Sequence, residues 1–78
     1  VAKFVPVVSQ AMTAVKYDRE NSLLVVQFGE DSFYEYAEVG PETVVDFMFA
    51  DSQGSAFSDL VKKGGFDFKP IPASEALV

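Results

Sequence analysis

Neither cysteine nor histidine occurs anywhere in this 78-residue chain, and that double absence limits what it can become. A domain of 8.5 kDa is expected to expose roughly 4,700 Å² when folded and to remove only about 60% of its unfolded surface from water. So small a core rarely supplies more than about 3–5 kcal/mol, and such chains are usually reinforced by disulfides, a metal or association. Lack of cysteine excludes disulfides, iron–sulfur clusters and thiol nucleophiles. Lack of histidine removes the commonest zinc ligand and the usual proton carrier near neutral pH. Association is the reinforcement left. The chain is therefore expected to be no enzyme, to use no cofactor and to hold no metal.

Six basic side chains stand against twelve acidic ones, a formal charge of −6. Duplex DNA binding depends on neutralising several phosphates, so no duplex partner is expected. Apolar residues make up 49% of the chain and include eight Phe and three Tyr, far too many for a disordered acidic tail. No apolar run approaches the ~20 residues of a membrane span, and no secretory signal pattern is visible. The expected setting is the cytoplasm, without a membrane partner.

Hydrophobic period organises the chain as α+β. Residues 1–8 read as an extended lead-in, in which Pro6 permits at best an edge strand. Met12 to Asp18 alternates, with Thr13, Val15 and Tyr17 on one face. Leu23 to Phe28 and Phe33 to Val39 follow after short polar turns, which predicts a three-stranded antiparallel meander. Gly40-Pro41-Glu42 starts a helix, since proline is favoured at the first helical position and an acid suits its positive end; the helix is expected over Glu42 to Ala50. A second helix carries Phe57, Leu60 and Val61 at i, i+3 and i+4 and is stopped by Gly64-Gly65. Phe66 to Lys69 alternates as a short closing strand ended by Pro70. This gives one domain over residues 9–69 and a mobile tail over residues 70–78.

The face bearing Val15, Tyr17, Leu24, Val26 and Phe28 is the one to lie under the helices. The other face carries Lys16, Leu23, Val25 and Gln27, with either Phe33, Glu35 and Ala37 or Tyr34, Tyr36 and Glu38. Leu23 and Val25 are unusual for a solvated sheet face. In the first helix only Asp46 is polar between Val44 and Ala50. A helix apolar nearly all round is buried on more than one side, so Val44, Val45, Phe47, Met48 and Phe49 are the expected interface of a homo-oligomer.

Tyr34 and Tyr36 put two rings on one sheet face. They are either core, with hydroxyls reaching polar partners, or a platform on which unpaired bases stack. Asp51-Ser52-Gln53-Gly54-Ser55 offers a helix start; Ser52 and Ser55, with Lys62, are candidate donors to a small anionic ligand, against the plainer reading of a helix cap. Lys16, Lys62 and Lys63 are candidate phosphate contacts or solvated charges. Ser9, Thr13 and Ser55 have no histidine to activate them. Glu30-Asp31 with Glu35 and Glu38 lacks the spacing of a calcium loop and reads as a solvated acidic turn.

Several of these signals come in an order that resembles one family. Ser9 through Val15-Lys16-Tyr17-Asp18 resembles its opening strand. Tyr34-Glu35-Tyr36 and the helix start at Val39-Gly40-Pro41 follow. Then comes Ala50-Asp51-Ser52-Gln53-Gly54-Ser55-Ala56-Phe57, ahead of a helix ending in Lys62. The chain is similar, over about Ser9 to Lys69, to the KTSC domain, named for its place at the C-terminus of some lysyl-tRNA synthetases and found alone in small bacterial and phage proteins. The resemblance implies a small module, with RNA binding as the role suggested for the family. Together these readings predict a non-catalytic, self-associating interaction module. The alternative is a module for single-stranded RNA or a small nucleotide-like anion, with Tyr34, Tyr36, Ser52, Ser55 and Lys62 as its contacts.

Overall fold

Alternating segments pair in chain order, and the helical segments fall between the last two strands. The structure, a computed structural model, describes residues 4–7, 12–62 and 64–76. Ser9, Lys63 and the side chain of Lys62 lie outside the described residues, as do residues 1–3 of the lead-in and 77–78 of the tail. Strands β1 (Val5–Pro6), β2 (Met12–Asp18), β3 (Leu23–Phe28), β4 (Ser32–Tyr36) and β5 (Phe68–Ile71) form one antiparallel sheet in the order β1-β2-β3-β4-β5. Helices α1 (Pro41–Met48) and α2 (Gln53–Phe57) connect β4 to β5, and α2 runs on as a π-helical turn, Ser58–Lys62. A last turn, α3 (Ala73–Ala76), follows β5.

The meander read from the sequence is β2–β4, and the lead-in adds an edge strand where Val5 faces Val15. Two details differ. A bulge between Met12 and Ala14 shifts the register of β2 against β3. It turns Thr13 out to solvent, where its hydroxyl donates to the Gly29 carbonyl at 2.7 Å, and brings Met12 into the core beside Val15. The closing strand lies two residues further on, with Pro70 inside it opposite Tyr34. An edge strand tolerates proline, and Ile71 gains burial against Phe33. Pro6 and Pro70 thus blunt both edges of the sheet against further pairing.

Turn chemistry fixes the hairpins. Asp18 accepts from the Glu20 and Asn21 amides at 3.1 and 3.3 Å and from the Asn21 side chain at 2.8 Å. The Asn21 side-chain bond is the main cause holding its carboxyl below the usual range. Glu38 adopts a left-handed backbone with φ 59° as the chain leaves β4. There Val39 donates to the Ser22 carbonyl at 2.9 Å and accepts from the Tyr17 hydroxyl at 2.6 Å.

The main core lies where the strand pattern puts it. Val15, Leu24, Val26 and Tyr36 of the sheet pack with Val39 and with Phe47, Phe57 and Val61 of the helices. The opposite face belongs to Phe33 and Glu35, and it is not bare. Val25, Phe33, Ile71 and Ala76 form a second cluster with Phe4 against it. Lys16 reaches over this face, its Nζ 5.2 Å from the centre of the Phe4 ring and donating to the Ala76 carbonyl. Val25 is therefore explained by a small second core, and the chain does not leave the domain at Pro70.

Helix α1 corrects the expected interface. Phe47 is fully buried in the main core, and Val44 and Met48 are half-buried against it. Phe47 therefore belongs to the core and not to an exposed surface of the helix. Only Val45, 52% exposed, and Phe49, 84% exposed, remain outward. The helix buries one flank, that of Val44, Phe47 and Met48, on the core, and Gln53 of α2 donates to the Met48 carbonyl at its end at 2.9 Å. Replacing Phe47 by Ala is expected to cost about 3–5 kcal/mol, the whole stability of so small a domain, and to leave the chain unfolded by circular dichroism. Phe49→Ala should change the urea midpoint by less than about 0.5 kcal/mol equivalent.

Candidate functional site

The helices cover the sheet over β2, β3 and the near edge of β4, and the rest of that face is walled by aromatic rings. Phe28 ends β3, Tyr34 and Tyr36 share the helix-side face of β4, and Phe68 pairs with Tyr36 from β5. With Phe66 and Ser32 they line an open cavity of about 620 Å³. Tyr36 and Phe68 are stacked, with centroids 5.3 Å apart and planes at 27°. Tyr34 meets Phe28 edge-on at 5.6 Å and Phe68 at 6.3 Å. The rings therefore hold one another in place.

Two glycines set the far wall. The Gly64 amide donates to the Val61 carbonyl at 3.2 Å, closing the helical turn. A side chain at Gly64 would meet the Leu60 carbonyl oxygen at 2.6 Å and the Phe66 ring at 2.8 Å. Gly65 follows with φ +78°, a conformation that favours glycine. Phe66 reaches the groove because these two residues let the chain turn tightly past the end of the helix.

Tyr36 is 4% exposed and Tyr34 half-buried. Tyr36 is thus core on one side, where its ring meets Phe57 at 5.6 Å and 88°, and groove wall on the other. Burial raises its hydroxyl pKa above the usual 10.0, and the neighbouring Tyr34 adds to the rise.

The other candidate contacts do not join this site. The Ser52 hydroxyl caps α2, accepting from the Ser55 amide at 3.4 Å, and the Ser52 carbonyl accepts from the Ala56 amide at 2.9 Å. The Ser55 amide is thus used within the helix start, and neither serine lines the groove. Glu35 lies on the opposite sheet face with Lys69 at 3.9 Å. Among the described residues no group of three or more acidic side chains is placed to hold a metal, and no helix is long and apolar enough to cross a membrane. Phe66 and Phe68 are the contacts that sequence reading missed. Their signal was the alternation Phe66-Asp67-Phe68, which sets both rings on one side of a strand.

One antiparallel sheet, with α1 and α2 on one face, α3 on the other and an uncovered aromatic corner, defines a small α+β domain with a groove beside its core. The chain belongs to the KTSC domain family, which it matches over residues 8–66. The crystal structure of a KTSC domain protein from Yersinia pestis is similar, with a TM-score of 0.79 and 35% identity, covering 91% of this chain and 99% of that one. An uncharacterised protein of Stutzerimonas stutzeri is 35% identical over 60 residues, 77% of this chain and 84% of its own length. A protein of Tsukamurella paurometabola is 37% identical over 57 residues, 73% of this chain and 85% of its own.

Two outcomes are expected of this geometry. Gly64→Ala should cost about 1–3 kcal/mol by overpacking, and in aromatic NMR spectra the Phe66 resonances should move more than those of the second core. Because Tyr36 holds its proton more tightly when folded, its contribution is complete below pH 10 and is lost as pH rises through the raised value. Urea midpoints should fall as pH rises above about 10, and Tyr36→Phe should remove part of that fall.

Proposed function

We propose that this chain is a non-catalytic binding module whose partner docks in the aromatic groove. The observation that carries this reading is the convergence of Phe28, Tyr34, Tyr36, Phe66 and Phe68 on one open cavity of about 620 Å³. That volume falls within the roughly 300–1,000 Å³ typical of ligand sites. The lining offers rings and the hydroxyls of Ser32, Tyr34 and Tyr36, and no carboxylate or amine, so it suits holding a flat or apolar group and not moving protons near neutral pH. Self-association is now supported by the exposure of Val45 and Phe49 alone on α1, a small beginning for the roughly 800 Å² per partner of a standard interface.

The stacked pair of Tyr36 and Phe68 favours a second reading, in which a base of single-stranded RNA continues the stack. The groove lends no support to the anionic-ligand variant, since neither Ser52 nor Ser55 lines it. An uncharged aromatic probe, p-cresol, titrated into labelled protein should shift the NMR resonances of Tyr34, Tyr36, Phe66 and Phe68. Phe68→Ser should stay folded, since that ring is 61% exposed, and should weaken the response several-fold. Shifts gathered instead around Val45 and Phe49 would transfer the binding role to α1.

A further inference from the structure

The second core is closed by both ends of the described chain, and one side chain touches the two. Lys16 lies in the middle of β2, directly opposite Val25 of β3, and so shares its sheet face. The Lys16 Nζ stands 5.2 Å from the centre of the Phe4 ring and donates to the Ala76 carbonyl, sixty positions along the chain. The Phe4 ring in turn meets Phe33 at 5.9 Å, and Ala76 is fully buried beside Val25, Phe33 and Ile71. Among the described residues, the Lys16 bond is the one side-chain hydrogen bond that joins α3 to the sheet.

Neither end is built to stand alone. Strand β1 pairs with β2 only through Val5 and Pro6. Helix α3 is a single turn, whose Glu75 and Ala76 amides both donate to the Pro72 carbonyl at 3.0 Å. Elements so short have no stability of their own in water. The main core, by contrast, holds Leu24, Val26, Val39, Phe47 and Val61 fully buried between the sheet and the longer helices.

We propose that Phe4 and α3 form one cover over the second face, latched by Lys16, which opens and closes as a unit while the main core stays folded. The ammonium is the element the two ends share. It is attracted to the face of the Phe4 ring and makes a charge-assisted bond to the Ala76 carbonyl. Water solvates both the ammonium and the carbonyl when the cover lifts, so the latch is reversible. Opening bares Val25 and Phe33 beside a freed cation, and closing seals them within the same chain. Such local opening belongs to the weakly held parts of a fold, those with few buried apolar contacts.

The absence of cysteine from the chain makes the test direct. Val25 and Val26 are neighbours on β3, one in the second core and the other in the main core. Val25→Cys and Val26→Cys, each close in size to the native side chain, therefore place a lone thiol under either face of the full chain, and labelling by iodoacetamide reads the opening of each. Val25→Cys should react at least about tenfold faster than Val26→Cys. Adding Lys16→Met, which keeps the apolar stem and removes the charge, should speed the labelling of Val25→Cys several-fold and leave that of Val26→Cys unchanged, and Lys16→Gln should do the same. Phe4→Ser should act likewise, and combined with Lys16→Met it should give less than the product of the two effects, as groups in one contact do. Equal labelling of Val25→Cys and Val26→Cys, or equal acceleration of both by Lys16→Met, would show that the second face opens only with the whole fold and would overturn the cover. Unchanged labelling of Val25→Cys on loss of the Lys16 charge would overturn the latch. Effects of Lys16→Met and Phe4→Ser that simply multiply would overturn the single unit.

Discussion

The Phe57 ring is the contact on which the rest of this domain depends. It meets Phe28 of β3 at 6.0 Å, Tyr36 of β4 at 5.6 Å and Phe47 of α1 at 5.8 Å, each edge-on. One side chain of α2 thereby joins two strands and the other helix. Such ring pairs contribute about 0.5–1.5 kcal/mol each beyond the area they bury, a large share of what an 8.5 kDa chain can hold. The anchor also decides where the helices stop. Drawn onto Phe28 and Tyr36, they leave the outer side of β4 and all of β5 to the rings of Tyr34, Phe66 and Phe68. The groove is the part of the sheet face that the helices do not reach.

The shortage of reinforcement is met within the chain by a core on each sheet face. The second one is small, but it draws in both ends of the described chain, Phe4 before β1 and Ala76 in α3. Lys16 spans the two, its stem over the Phe4 ring and its ammonium on the Ala76 carbonyl, which lets a charged residue cover apolar surface.

The central strands, the helix start at Pro41 and the stripe of Phe57, Leu60 and Val61 were legible in the sequence because each rests on local period or local turn chemistry. What needed the third dimension was harder. With only Asp46 polar, the first helix gives almost no signal of which flank faces inward, and Phe47 read as surface when it is core. Val25 read as unusual on a solvated face because the residues that cover it come from opposite ends of the chain. Of the site, the Tyr34 and Tyr36 pair was visible and its partners Phe66 and Phe68 were not. Their meeting depends on the pairing of β4 with β5 across two intervening helices, with a register shifted past Pro70. The serines of the helix start stay ambiguous for the opposite reason: a cap and an anion site draw on the same amides, and the geometry shows only the Ser55 amide on the Ser52 hydroxyl.

Tyr36 makes fold and groove inseparable. One side of its ring meets Phe57 and so belongs to the core; the other stacks on Phe68 and so belongs to the groove. A guest that orders Phe68 therefore acts on a ring that also holds the helices, and binding to the native state alone stabilises the fold by mass action. The gain is largest, as a fraction of the total, in a domain as thinly built as this one. The chain also carries six more acidic than basic groups, whose mutual repulsion opposes the compact state. Under the groove reading proposed above, a partner that fills the groove offsets that repulsion by stabilising the native state alone.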